Sequence, residues 1–144
     1  MTSMEIKPYS RRAQYYETDQ MGIIHHANYV RWLEEARIDF LEQIGLNYAS
    51  LEASGIISPI VEVTCQYKGM VRFGDSVNIA VRVVKCNGVK LVLSYEITNA
   101  ATGELCTLAE TVSCFMSRDG TILSLRKAYP AIYEALAACI PPKE

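Results

Sequence analysis

The sequence predicts an α+β fold in which an antiparallel sheet curls around one long helix. Three observations predict it. Tyr29, Trp32, Leu33, Ala36, Phe40, Leu41 and Ile44 recur at helical spacing and form a single apolar stripe. From Val77 onward the period changes to two, giving three strand-like runs of about ten residues joined by tight turns. Only one strand precedes the helix, so one helix must serve a whole sheet, and long strands can do that by curling around it.

Taken in order, residues 10–17 read as the first strand, and Thr18 to His26, which holds Gly22, reads as a loop. Asn28 fronts the helix. Its polar face carries Arg31, Glu34, Glu35, Arg37, Asp39 and Glu42, all expected in solvent, and Gly45 stops it. Ile60, Val61, Val63 and Cys65 make the next strand, ending near Lys68-Gly69. Val77, Ile79, Val81 and Val83 alternate with more polar neighbours, and Asn87-Gly88 supplies positive-φ residues for a hairpin. Leu91 to Ile97 and then Leu105 to Met116 complete a meander, closed by Asp119-Gly120. A short helix spans about Tyr129 to Ala138 and stops at Pro141-Pro142. The outer strands keep unpaired edges, which proteins commonly cover by self-association. A homodimer or tetramer is expected.

The 144 residues suggest a single domain, 1–144. Lys and Arg total 14 against 16 Asp and Glu, a formal net charge of −2, so nothing resembles the basic stripe of a nucleic-acid binder. No apolar run approaches the roughly 20 residues of a membrane span, and no secretory leader is expected from Met1 to Lys7. Five cysteines, an odd number without CxxC spacing, argue against a disulfide framework or a zinc site and for a reducing cytoplasm.

Reactive groups are densest from Tyr15 to Tyr29. Asp19 is a carboxylate in a glycine-containing loop, where scaffolds commonly present functional groups. Gly22 allows close backbone approach to a ligand. The helix that follows offers free N–H groups and a positive dipole end, suited to an anion or a developing oxyanion. Plainer readings stand beside these. Asp19 could simply open a turn, Tyr15 could be a half-buried strand residue, and Trp32 and Phe40 belong to the core. The His25-His26 pair lacks the further ligands a metal requires.

The stretch Tyr15, Asp19-Gln20-Met21-Gly22, Ile23-Ile24, His25-His26, Asn28-Tyr29 resembles the active-site loop of hotdog-fold acyl-CoA thioesterases of the 4-hydroxybenzoyl-CoA thioesterase type. Tyr67 to Asp75 is similar to a second segment of that family, with Met70 where proline is common. The likeness spans about residues 10 to 137. It implies the hotdog fold and hydrolysis of an acyl-CoA, with Asp19 as nucleophile or general base and amides near His26 as oxyanion donors. Tyr15 and His26 take supporting roles, and His25 none. Gly22 and Ile24 would meet the substrate. Lys68 and Lys90 lead a set of possible phosphate contacts that includes Arg72, Arg118, Arg126 and Lys127. No cofactor is expected, because coenzyme A is part of the substrate. Two alternatives stay open: a hotdog dehydratase or hydratase, whose acid sits on the helix, and a non-catalytic acyl-CoA-binding module.

Overall fold

The computed structural model describes residues 6–140. Strand β1 (Tyr9–Arg12) leads through a 3-10 turn (Tyr15–Glu17) and a loop into helix α1 (His26–Gln43). Helix α2 (Tyr48–Ala53) and the short β2 (Ile56–Ile57) follow, then β3 (Ile60–Tyr67), β4 (Ser76–Cys86), β5 (Lys90–Asn99) and β6 (Leu105–Cys114). The short β7 (Met116–Ser117), α3 (Leu125–Ala128) and α4 (Pro130–Ala137) end the described chain. The main sheet is wholly antiparallel in the order β1-β4-β5-β6-β3, and β2 pairs with β7 beside it.

The whole apolar stripe of α1 is buried in one core with alternate residues of the central strands: Val77, Ile79 and Val83 from β4, and Leu91, Leu93, Tyr95 and Ile97 from β5. Fully burying a side chain of this size stabilises by roughly 1.5–3 kcal/mol, so this contact fixes which way the sheet faces. Helix α1 stops at Gly45 as expected, with Leu46 N–H bonded back to the Leu41 carbonyl at 2.8 Å. Among the described residues no helix is long and apolar enough to cross a membrane.

The structure corrects several expectations. The first strand ends at Arg12, not at residue 17. Gln14 opens a 3-10 turn there, its N–H bonded to Glu17 Oε1 at 2.9 Å and its carbonyl accepting Glu17 N–H at 3.0 Å. Arg37 is buried rather than solvated, donating from Nη2 to the Ser58 carbonyl at 3.0 Å. Glu35 is tied down by Arg11 and Tyr9. In the β4–β5 hairpin only Gly88 has positive φ. Asn87 works instead through its side chain, which accepts the N–H groups of Val89 and Lys90. The C-terminal helix is found where expected, as α4, but α3 precedes it, and the two are parted at Tyr129 because the residue before a proline is driven out of the α region. Pro141-Pro142 lie outside the described residues.

Candidate active site

The loop between the 3-10 turn and α1 is closed at its base. One backbone oxygen, that of Glu17, accepts both the His25 N–H at 2.9 Å and the Asn28 side-chain amide at 2.8 Å. Within the loop Asp19 N–H meets the Ile23 carbonyl at 2.8 Å, and Gly22 N–H meets the Asp19 carbonyl at 3.1 Å. Gly22 has φ +79°, a region L side chains rarely adopt, and no atom stands within 4 Å of where its Cβ would be. The turn therefore requires this glycine for its backbone angle. Ile24 N–H is bonded to the Val71 carbonyl at 2.8 Å, which docks the loop on residues 71–73.

Beneath the loop Glu17 is almost wholly buried and receives three hydrogen bonds: Arg11 Nη1 at 2.6 Å, Trp32 Nε1 at 2.8 Å and Gln14 N–H at 2.9 Å. Burial alone would raise its pKa. The Arg11, Trp32 and Gln14 bonds outweigh that and hold the carboxyl below its ordinary value. Arg11 continues to Glu35 Oε1 at 2.7 Å, and its guanidinium lies 5.0 Å from the Trp32 ring centroid. Sequence reading passed over Glu17, although the Gln14-x-x-Glu17 spacing of a capping box was visible.

A cavity of about 330 Å³ opens where the loop, the start of α1 and the end of β3 meet. Met21, Ile23, Ile24, Tyr29 and Met70 give it apolar walls; Asp19, His26, Tyr67 and Lys68 bring polar groups to it. Asp19 Oδ1 accepts Met21 N–H at 2.8 Å, and Oδ2 has no hydrogen-bond partner among the described residues. At the helix start His25 is the N-cap: its Nδ1 takes Ala27 N–H at 3.1 Å and its carbonyl takes Asn28 N–H at 2.9 Å. The His26 N–H has no acceptor among the described residues. Tyr67 donates to the His26 carbonyl at 3.0 Å. Burial, then Cys65, pushes the Tyr67 phenol up to about 12, and burial, then Cys106 and Tyr67, does the same for Tyr29. Both phenols are hydrogen-bond donors at neutral pH and neither is a base.

Of the residues singled out from sequence, Asp19, Ile24, His26 and Lys68 meet at this cavity. Three do not. Tyr15 is mostly exposed, its ring edge-on to Phe73 at 5.6 Å. Gly22 shapes the turn without lining the cavity. Lys90 stands opposite Cys114 whereas Tyr67 stands opposite Thr107, which separates Lys90 from the cavity by about 23 Å along β6. Tyr67 and the capping role of His25 went unassigned, since nothing in their spacing shows which backbone groups they meet.

Comparison with known proteins agrees with this fold. The model of the thioesterase-like superfamily matches residues 14–142. YneP of Bacillus subtilis, provisionally named an acyl-CoA thioesterase, is 33% identical over 128 residues, covering 88% of this chain and 92% of YneP. The acyl-CoA thioester hydrolase YbgC of Escherichia coli is 29% identical over 89 residues, covering 62% of this chain and 66% of YbgC. The crystal structure of a DHNA-CoA thioesterase from Staphylococcus aureus superposes with a TM-score of 0.87 at 34% identity, covering 91% of this chain and 88% of that one. The sheet wrapped on α1 is the hotdog fold, and the chain belongs to the thioesterase-like superfamily.

Proposed function

We propose that this protein hydrolyses an acyl-CoA thioester to the free acid and coenzyme A, with Asp19 as nucleophile or general base. The observation that carries the reading is that a carboxylate oxygen without a hydrogen-bond partner among the described residues and the open start of α1 share one cavity. In the nucleophilic route Asp19 Oδ2 attacks the thioester carbonyl, the C–S bond breaks and the thiolate leaves to take a proton. Water then opens the resulting anhydride and restores Asp19. In the base route Asp19 takes a proton from the water that attacks, the C–S bond breaks, and Asp19 gives that proton to the departing thiolate. Both routes build negative charge on the thioester oxygen, which the His26 N–H and the positive end of the helix would stabilise. The His26 N–H would meet the acyl carbonyl, Ile24 belongs to the apolar wall that receives the acyl group, and Lys68 brings a positive charge to the same cavity.

The helix-acid alternative is disfavoured. Glu35 is engaged by Arg11 and Tyr9, Glu34 stands beside Arg37, and neither lines the cavity. Self-association as a dimer or tetramer is part of the proposal, supported by the β3 edge, which exposes Val61, Val63 and Tyr67. The five unpaired thiols fit a reducing cytoplasm.

The test is release of thiol from a panel of aliphatic and aromatic acyl-CoAs, with Asp19→Asn alongside. The amide oxygen of Asn can still accept Met21 N–H, so the loop keeps its shape while the reactive oxygen is lost. Turnover is expected to fall about 10²–10⁴-fold. Undiminished turnover in that variant would overturn the role of Asp19, and acyl-CoA binding without hydrolysis by the wild type would establish the non-catalytic alternative.

A further inference from the structure

Beside the cavity the surface carries aromatic rings that the core does not use. Tyr15 and Phe73 are 73% and 54% exposed, their rings edge-to-face with centroids 5.6 Å apart. Phe73 sits on the segment that receives the catalytic loop: Ile24 N–H bonds to the Val71 carbonyl, and Ile23 is bridged to Arg72. Met70, three residues earlier, is already in the cavity wall, so Phe73 stands within about 11 Å of chain from it. Arg72 precedes Phe73 in the chain, and Arg12 approaches Gly74, which follows it. Arg12 Nη2 is 3.9 Å from where a Cβ on Gly74 would be. Both arginines are exposed, and neither engages a carboxylate among the described residues.

Exposed ring faces next to free guanidinium groups have the chemistry of a nucleotide site. A purine stacks on an aromatic face, and phosphate oxygens match the guanidinium fork. A purely apolar acyl group would leave both guanidinium groups without a counter-charge, and the walls formed by Met21, Ile23, Ile24 and Met70 already provide for it. We propose that Phe73, Tyr15, Arg12 and Arg72 bind the nucleotide end of the coenzyme, with the base on the aromatic pair and phosphates on the arginines. The flexible arm of the coenzyme then runs from this rim to Asp19. The proposal rests on the acyl-CoA reading above and adds where the carrier is gripped.

The experiment compares kcat/KM for one acyl group carried on coenzyme A and on pantetheine, which lacks the nucleotide, in wild type and in Phe73→Ala/Arg72→Ala. The wild type is expected to prefer the coenzyme A ester, and the double variant to lose about tenfold or more of that preference through KM. Calorimetric titration with phosphoadenosine diphosphate should show matching weakening, and a thermal melt confirms that the variant is folded. A preference that survives the substitutions, or an equal loss on both esters, overturns the proposal. So does a change in sedimentation, which would show the rim to be covered by a second copy. If the wild type hydrolyses neither ester but still binds the nucleotide, the hydrolase reading fails while the nucleotide site stands.

Discussion

Replacing Glu17 with Ala should cost about 3 kcal/mol of stability. The figure follows from what the carboxylate holds. Its removal strands the buried indole N–H of Trp32, worth roughly 1–3 kcal/mol when left unpaired in the interior, and releases the Gln14 N–H, which belongs to an exposed residue. Arg11 keeps Glu35 at 2.7 Å, so its charge is not abandoned and the loss stays at the lower end for a broken buried pair. In a chain of this length that lowers the melting temperature by roughly 10 °C. Urea unfolding followed by the fluorescence of Trp32, the single tryptophan, reads the change at the residue concerned. The pH dependence has a definite sign. The folded pKa of Glu17 lies below its ordinary value of 4.5. Its contribution is therefore complete above about pH 4.5 and fades as pH falls through the folded value. The gap in stability between wild type and Glu17→Gln should narrow on acidification below that point. A loss under about 1 kcal/mol in the alanine variant, or a gap that widens in acid, would refute the account.

Other outcomes follow from single contacts. Gly88→Ala should destabilise by about 1–3 kcal/mol in chemical denaturation, because φ there is +88° and the new Cβ would meet Arg126 N at 3.2 Å. Thr107→Val should raise the melting temperature by a few degrees, since the Thr107 hydroxyl is fully buried with no hydrogen-bond partner among the described residues. Tyr67→Phe should cost about 0.5–1.5 kcal/mol through the lost bond to the His26 carbonyl. In ultraviolet titration it should also remove one of the phenols that ionise near pH 12.

What could be read from the sequence was what depends on periodicity. The stripe from Tyr29 to Ile44 placed α1 within two residues of its observed start, and alternation placed β4, β5 and β6. What could not be read depends on contacts made across the fold. Arg37 lies at a polar helical position but faces the Ser58 carbonyl, and no local pattern reports a partner 21 residues away. Tyr15 matches the family motif in sequence, yet the turn set by Glu17 swings it toward Phe73. Lys90 looked plausible only because strand ends are equivalent until pairing assigns each one to an end of the sheet. The six residues of α2 are too short for a periodic signal, and only the Asn47 cap, bonded to Ala49 N–H, marked their start.

The shared acceptor at Glu17 has a practical corollary. Because both feet of the loop are pinned to one oxygen, and Asp19 is further fastened by its own main chain, the crest at Gln20 and Met21 can be varied without disturbing what lies on either side. Met21 is 76% exposed and yet contributes to the wall of the pocket. A small library at those two positions is therefore a route to altering acyl preference in an otherwise unaltered scaffold.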